Sequence, residues 1–265
     1  MLQAQLRGKL PRDLENMEDL LTSNVFGSIK YIQPEKGLLQ ILLNSEDSEG
    51  NTHTFDFSNI KNVTYHFWPW INESGCYGCE PDVYIKIDFE NGSKTLVFVE
   101  AKYLSSKSSE SDEKKEAPYD QLAREYDNLQ ELAAKENASP IFLYITADLG
   151  YPMIDYVESV KDYQRYKQKE MSMQWISWRK IPKIFTDAEK DSILHDLVKV
   201  IQRLGLTFYE GIKTLEPPNI EWSFKAVVNW DWSVYEDLLI DWEFKLNKCF
   251  NWKYQIESTK WRFIK

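Results

Sequence analysis

The chain has 265 residues, of which 43% are apolar and 28% charged, so it can bury a sizeable core and is not disordered over most of its length. No apolar run approaches the roughly 18 residues of a membrane helix, and the N-terminus lacks the apolar segment of a signal peptide, so we expect a soluble, cytoplasmic protein with no membrane partner. The formal net charge of −10 argues against nonspecific DNA binding by the whole surface, although it leaves room for a local basic patch.

The first half of the chain predicts a helix followed by an antiparallel hairpin. Apolar residues at three- and four-residue steps indicate the helix. Residues 82–89 alternate apolar and polar side chains, as a half-buried strand does, and Glu90-Asn91-Gly92 is typical of a hairpin turn. In chain order we predict a helix over 13–31, a small hairpin or irregular excursion over 37–60, and strands over 63–71, 82–89 and 95–103.

The second half predicts alternating helices and strands, followed by a tail of different composition. After a polar loop over 104–117, we predict helices over 118–136, 153–168 and 187–204 and strands over 141–146 and 173–178. This order favours an α/β sandwich in which helices flank a central mixed sheet. Residues 217–265 hold six of the ten tryptophans. We therefore predict a domain over 1–216 and an aromatic-rich C-terminal subdomain over 217–265, with strands and a helix near 234–246.

One strand of the hairpin, VFVEAKY at 97–103, begins apolar and ends with two charges. Side chains alternate along a strand, so Phe98, Glu100 and Lys102 share one face. An unpaired buried charge is costly, so Glu100 and Lys102 need partners. The hairpin brings Asp82, which follows Pro81, close to Glu100. Two carboxylates, a backbone carbonyl and waters form the oxygen site that Mg²⁺ or Mn²⁺ prefers. The alternative is a cross-strand surface ion pair.

Pro81-Asp82 followed after a hairpin by Glu100-Ala101-Lys102 resembles the signature of the PD-(D/E)XK nuclease superfamily. The resemblance covers roughly residues 14–180 and extends to an acid in the preceding helix, Glu18, with Asp19 beside it. It also extends to a glutamine in the following helix, Gln121. One subgroup of the family places a tyrosine four residues after that glutamine, where this chain has Glu125.

The resemblance implies a restriction-endonuclease-like fold and Mg²⁺- or Mn²⁺-dependent hydrolysis of DNA phosphodiesters, with RNA as a further substrate to consider. It also implies a role in restriction, phage defence or repair. Asp82, Glu100 and the Ala101 carbonyl would hold the metal, with Glu18 supporting the metal or its water shell. Lys102 would position or activate the attacking water. Gln121 would orient the lysine or a phosphate. For Glu18 the alternative is an ordinary surface charge on a helix.

A local basic stretch offers a candidate contact for nucleic acid. Residues 161–183 carry seven Lys or Arg against two acids, a net charge of +5. The candidate contacts are Lys167, Lys169, Arg179 and Lys180. The alternative is a solvated helix face and loop. The acidity of the chain suggests that it acts with a protein partner or recognises a particular DNA structure.

Two further interpretations compete with the nuclease hypothesis. A non-catalytic binding or scaffold protein on the same fold would interact through the tryptophan-rich tail. A zinc-stabilised module would use Cys76 and Cys79, which otherwise form a redox pair or have only a structural role. With three cysteines in the chain, no disulfide framework is implied.

Overall fold

The chain divides into two compact units, Met1–Phe208 and Tyr209–Lys265. The structure, a computed structural model, describes residues 5–9, 17–52, 56–105, 107–112, 114–185, 188 and 190–208 of the first unit. In the second unit it describes the backbone of residues 241–245, 251–257 and 260–264. The boundary predicted between residues 216 and 217 lies outside the described residues.

The first unit is an α/β structure in which helices flank a five-stranded sheet. In chain order its elements are α1 (Glu18–Ile29), α2 (Leu38–Leu43), β1 (Ile60–Phe67), β2 (Val83–Phe89), β3 (Lys94–Ala101), α3 (Gln121–Glu136), β4 (Ser139–Thr146), α4 (Met153–Lys167), β5 (Gln174–Ser177), α5 (Ile181–Ile184) and α6 (Ser192–Arg203).

The sheet is mixed and has the strand order β1-β2-β3-β4-β5. The pairs β1/β2 and β2/β3 are antiparallel, whereas β3/β4 and β4/β5 are parallel. The end of β3 therefore lies at the same edge of the sheet as the beginning of β2 and the ends of β4 and β5. The carboxyl ends of parallel strands are the usual position for ligand sites in such sheets.

Each face of the sheet buries its own core. Val83, Val97 and Val99 face one core, which includes Phe26 and Leu197 from the helices. The alternate side chains of the same strands, among them Leu96 and Phe98, face the other core. That core contains Leu122 and Leu129 from α3, together with Met171 and Trp175. Because β3 is covered on both sides, its four residues from Leu96 to Val99 are all apolar, as is typical of a central strand.

A buried network of acids secures the beginning of α3. The Asp120 carboxylate caps the helix by accepting the Leu122 and Ala123 amides at 3.1 and 3.2 Å. It also forms an ion pair of 2.6 Å with Lys107, and both side chains are almost fully buried. Asp162 of α4 accepts the amides of Tyr119 and Asp120, each at 2.8 Å. The network therefore holds α3 and the loop before it in one position.

Two predictions in the first unit need correction. Residues 37–60 were predicted to form a hairpin or an irregular excursion, but Leu38–Leu43 is a helix. Its apolar run is mostly buried, and periodicity cannot distinguish such a short buried helix from a strand. A bridge between Glu46 and Thr52 follows it. The strand predicted over 63–71 spans Ile60–Phe67 instead. It ends there because Trp68 adopts a left-handed backbone conformation, with φ of 49°.

The second unit contains three antiparallel strands in the order β6 (Asp241–Lys245), β7 (Asn251–Glu257) and β8 (Lys260–Ile264). The helix predicted near 234–246 is therefore wrong at Asp241–Lys245, and the remainder of that range lies outside the described residues. The sequence of β6, DWEFK, alternates polar and aromatic side chains, which is compatible with a strand. Among the residues described in both units, no helix has the length and apolar character that would be needed to cross a bilayer.

We expect Asp120→Ala to lower the free energy of unfolding by about 3 kcal/mol, because the substitution removes a helix cap and the closer of the two carboxylate partners of Lys107, whose other partner is Glu158 at 3.3 Å. Asp191→Ala is the matched control. Asp191 caps α6 in the same way, through the Ile193 and Leu194 amides, so its loss is expected to cost about 1 kcal/mol. Urea unfolding measures both variants, and equal losses would show that the Lys107 ion pair contributes nothing.

Candidate active site

Four elements bring the predicted site residues to one edge of the sheet. Val83 pairs with Val99, so the next residues of the same two strands, Asp82 and Glu100, lie opposite each other. Glu18 is at the first turn of α1, and Gln121 is at the first turn of α3. Asp82, Glu100, Lys102 and Gln121 are buried, each with at most 9% of its surface exposed.

Lys102 lies between two carboxylates. Its Nζ is 2.6 Å from Glu100 Oε1 and 3.3 Å from Glu18 Oε1. The second oxygen of Glu18 accepts the Tyr103 amide at 2.8 Å and the Ser105 hydroxyl. Glu18 therefore fixes both the ammonium and the chain that leaves β3. These contacts tie α1, on one side of the sheet, to the end of the central strand.

The Asp82 carboxylate is oriented by two donors. The Ala101 amide donates to Oδ2 at 2.8 Å, and the Trp68 indole nitrogen donates to Oδ1 at 3.2 Å. The Trp68 amide also donates to the Asp82 carbonyl at 3.0 Å. Asp82 is therefore held to β3 on one side and to the end of β1 on the other.

Gln121 connects the site to helix α3 and to the loop before it. Its side-chain amide donates to Glu100 Oε1 at 2.5 Å and to Glu125 Oε1 at 3.2 Å. Its side-chain oxygen accepts the Ser108 amide at 2.7 Å. Glu100 Oε1 therefore has both Lys102 and Gln121 as partners, which leaves its other oxygen outside these contacts.

Burial raises the pKa of both strand carboxyls. The pKa of Asp82 rises to about 6, because its loss of hydration outweighs the Ala101 amide and the charge of Lys102, both of which lower it. The pKa of Glu100 is also raised, first by burial and then by the negative charge of Asp82. Glu100 therefore resists ionisation partly because Asp82 is close to it, and the charge of Glu18 acts in the same direction on Asp82.

The opposite balance holds at Lys102. Burial lowers its pKa, but the charges of Glu100, Glu18 and Asp82 together raise it above the ordinary value, so the side chain is an ammonium at neutral pH. It is consequently a hydrogen-bond donor and a positive charge, rather than a base.

Glu125 adds a further acid behind Gln121. It is 1% exposed, and its Oε2 has no hydrogen-bond partner among the described residues. Burial, followed by the charge of Glu100, raises its pKa well above the ordinary value. Sequence reasoning noted this residue only as a departure from the family pattern. Its spacing of four residues from Gln121 on a helix was the available signal, since such residues lie on one face.

The donor set suits a hard divalent cation in its chemistry and charge. Glu18, Asp82 and Glu100 surround a single ammonium, so a cation of charge +2 would favour the ionised forms of the two carboxyls whose pKa values are raised. Within the described parts of the chain, however, no three His, Cys, Asp or Glu side chains are grouped in an arrangement that could hold a metal ion. Carbonyl oxygens such as that of Ala101, and water, would have to complete any coordination sphere.

Of the four basic residues predicted to contact nucleic acid, Arg179 and Lys180 follow β5, whose end lies at this edge of the sheet, and three of the four have internal partners. Lys167 forms an ion pair of 2.7 Å with Asp127. Arg179 donates to backbone carbonyls, including that of Ala147 at 2.9 Å, and Lys180 donates to the Asn44 carbonyl at 2.8 Å. Lys169 is exposed. Their role in binding stays a prediction.

The two cysteines of the turn region differ in environment. Cys76 is exposed and Cys79 is buried, and both are free thiols. Burial raises the pKa of Cys79, which makes its thiolate less available. Cys79 exchanges two backbone hydrogen bonds with Ile71, at 2.8 and 2.7 Å. The backbone of this turn is therefore held next to the chain that follows β1.

Trp68 is the site residue that sequence reasoning missed. The strand prediction continued through it, although the Trp-Pro-Trp sequence of residues 68–70 signals a break. Phe67 pairs with Val83, so Trp68 falls opposite Asp82. That placement depends on the register between two strands, which the sequence alone did not specify.

Comparison with known proteins returns no match: no protein-family model, no curated protein and no solved structure matches the chain.

The raised pKa of Asp82 predicts how stability depends on pH in the presence of EDTA. Its unfolded value is close to 3.9 and its folded value is about 6, so the folded state binds the proton more tightly. This contribution is fully present below pH 4 and is lost as the pH rises to 6. The free energy of unfolding of the wild type should fall by on the order of 2–3 kcal/mol relative to Asp82→Asn over that window.

Urea unfolding at pH 4, 5, 6 and 7 measures the difference. Asparagine offers one acceptor oxygen to two donors, so we expect a constant offset between the curves in addition to the change of slope. Asp88→Asn, at the opposite end of β2, is the control and should run parallel to the wild type. Parallel curves for Asp82→Asn as well would contradict the raised pKa.

Proposed function

We propose that this protein is a metal-dependent nuclease that hydrolyses DNA phosphodiester bonds on a restriction-endonuclease-like fold. The observation that carries the proposal is the convergence of Asp82, Glu100 and Lys102 at the carboxyl end of a central strand. Glu18 and Gln121, from helices on the two sides of the sheet, contact the same group. The resemblance of these residues to the PD-(D/E)XK signature supplies the reaction class.

Asp82, Glu100 and the Ala101 carbonyl would hold Mg²⁺ or Mn²⁺, with Glu18 in support. A cation bound there would supply positive charge to a phosphate oxygen and lower the pKa of a coordinated water. The Ala101 amide and the Trp68 indole fix the orientation of the Asp82 carboxylate. Glu100 has one oxygen engaged by Lys102 and Gln121. The Ala101 amide points to Asp82, which ties the two predicted ligand strands together.

Lys102 would act as a positioned hydrogen-bond donor. Because it is an ammonium held by two carboxylates, it can orient a water molecule or stabilise the negative charge that develops on the phosphate during attack. Gln121 would keep Glu100 in place and, through Ser108, join it to the loop before α3. The restriction, phage-defence or repair setting, and a protein partner, remain implications of the resemblance.

We expect Asp82→Ala and Lys102→Ala each to reduce Mg²⁺-dependent cleavage of DNA by at least about a hundredfold, because each removes a group that faces the charge of the transition state. The measurement is a gel-based cleavage assay on a panel of single-stranded, duplex and branched oligonucleotides, with Mg²⁺ or Mn²⁺ against EDTA.

Lys86→Ala is the matched control. Lys86 is also a strand lysine with a close carboxylate partner, Glu136 at 2.5 Å, but it lies away from the proposed site. Its cleavage should equal that of the wild type. Circular dichroism verifies that every variant is folded. Undiminished cleavage by both Asp82→Ala and Lys102→Ala would remove the assignment.

Metal binding is tested separately from catalysis. Mg²⁺ or Mn²⁺ at a hundredfold excess over its Kd should raise the Tm of the wild type by about 5 °C, and EDTA should reverse the shift. Glu100→Gln should abolish it because a ligand and its charge are lost, whereas Glu136→Gln should not. A wild-type protein that binds neither cation, by calorimetry and by thermal shift, would favour a non-catalytic binding or scaffold protein.

A further inference from the structure

A strained tryptophan lies at the edge of the proposed site. Trp68 has φ of 49°, a left-handed conformation that is a genuine outlier for a bulky side chain. Two hydrogen bonds to Asp82, from the indole and from the backbone amide, hold it there. Backbone strain of this kind collects at functional sites, where the surrounding structure maintains it. In this conformation the Trp68 ring lies beside Asp82, a predicted metal ligand.

Trp70, two residues further along, is exposed and yet held in place. Its side chain is 70% exposed, more than that of Trp68 at 36%. A Cβ atom added to Gly78 would lie 2.5 Å from Trp70 Cζ2 and 2.9 Å from Cε2. The indole therefore rests directly on the Gly78 backbone, where only glycine leaves room for it. The paired backbones of Ile71 and Cys79 keep the two segments together.

Two residues that directly follow α1 add a further ring and a positive charge. The Phe67 ring is 5.8 Å from that of Trp68. Lys30 Nζ lies 4.8 Å from the centre of the Tyr31 ring and 5.6 Å from the centre of the Phe67 ring, and Tyr31 is 75% exposed. We call Lys30, Tyr31, Phe67, Trp68 and Trp70 the aromatic edge. Ring and cation contacts join the first four of these residues, Trp68 contacts Asp82, and Trp70 follows two positions later in the chain.

We propose that the aromatic edge binds unpaired bases of a single-stranded nucleic acid, with Trp70 as the principal stacking surface and the phosphate chain leading towards Asp82. The inference rests on the proposed function and names its substrate class. Aromatic side chains stack on bases of any sequence, but only where the bases are not already stacked within a duplex. Lys30 suits a neighbouring phosphate.

The net charge of the protein favours a single strand over a duplex as the ligand of this surface. A protein with a formal net charge of −10 gains little from a long run of phosphate contacts, on which duplex binding largely depends. Base–aromatic stacking contributes about 1–3 kcal/mol per base beside the phosphate contacts, so it can supply part of the affinity that an acidic protein lacks. Three of the four basic residues predicted to contact nucleic acid, Lys167, Arg179 and Lys180, have intramolecular partners. They are therefore less available to bind the phosphates of a duplex.

The test measures binding of the full chain in EDTA, where no cleavage occurs, by fluorescence anisotropy of a labelled 12-nucleotide DNA strand. Trp70→Leu keeps an apolar side chain but removes the ring, and it should weaken binding on the order of tenfold. Trp70→Phe keeps a ring and should retain most of the affinity. Ile154→Ala, a substitution of another exposed apolar residue, is the matched control and should bind like the wild type.

Two further ligands separate stacking from charge. A strand with abasic sites at all central positions keeps the phosphates, so the wild type should bind it about as weakly as Trp70→Leu binds the normal strand. Trp70→Leu should weaken the binding of a duplex of the same sequence at least fivefold less than it weakens the binding of the single strand.

The outcomes are distinct for the inference and for the proposed function. Equal binding by Trp70→Leu and wild type, or an equal loss for duplex and single strand, would overturn the inference. Displacement of the strand by a proline-rich peptide, with no effect of the abasic sites, would assign the surface to a protein partner and would also overturn it. Cleavage in Mg²⁺ is scored independently, so a nuclease without this surface, or a binding surface without cleavage, would each be recognised.

Discussion

The ion pair between Lys102 and Glu100 is the interaction on which this end of the sheet depends. It lies at the end of a strand that is buried on both faces, and two more acids, Asp82 and Glu18, are close enough to raise the pKa of the ammonium. One positive charge faces three carboxyl groups, and ionising all three would leave an excess of negative charge in a poorly hydrated place, a cost that appears in the raised pKa values of Asp82 and Glu100. A purely structural site would favour fewer acids. The excess is the physical reason to consider a divalent cation here.

The same contacts explain how the two helical layers meet at the sheet edge. Glu18 brings α1 to the end of β3 through Lys102 and the Tyr103 amide, and Gln121 brings α3 to Glu100 from the opposite layer. Behind Gln121, the neighbouring Asp120 is fixed by Lys107 and Ser159. The first turn of α3, which carries Gln121, is therefore immobilised by contacts outside the site, as a preorganised site requires.

Much of the fold was predictable from local pattern. Alternation over 82–89, the Glu90-Asn91-Gly92 turn and the long amphipathic helix after Asp120 all agree with the structure, as does the mixed sheet flanked by helices. Two of the predictions failed because the structure at those positions depends on contacts with distant parts of the chain. Leu38–Leu43 is apolar on nearly every side, and such a short run is compatible with a helix or a strand until its surroundings are known. Trp68 reads as a strand residue by composition, but its contacts with Asp82 hold it in a left-handed conformation.

The sequence by itself determined which residues can carry chemistry and, through the hairpin, that Asp82 and Glu100 are neighbours, because a tight turn and a period of two leave one geometry for the strand ends. Tertiary structure decided the rest. Glu18 reaches Lys102 across 84 positions of the chain, and three of the predicted basic contacts turned to internal partners. Trp68 reached Asp82 only through the register of β1 on β2. These contacts arise from packing between distant segments, and packing is set by the whole core rather than by any local pattern.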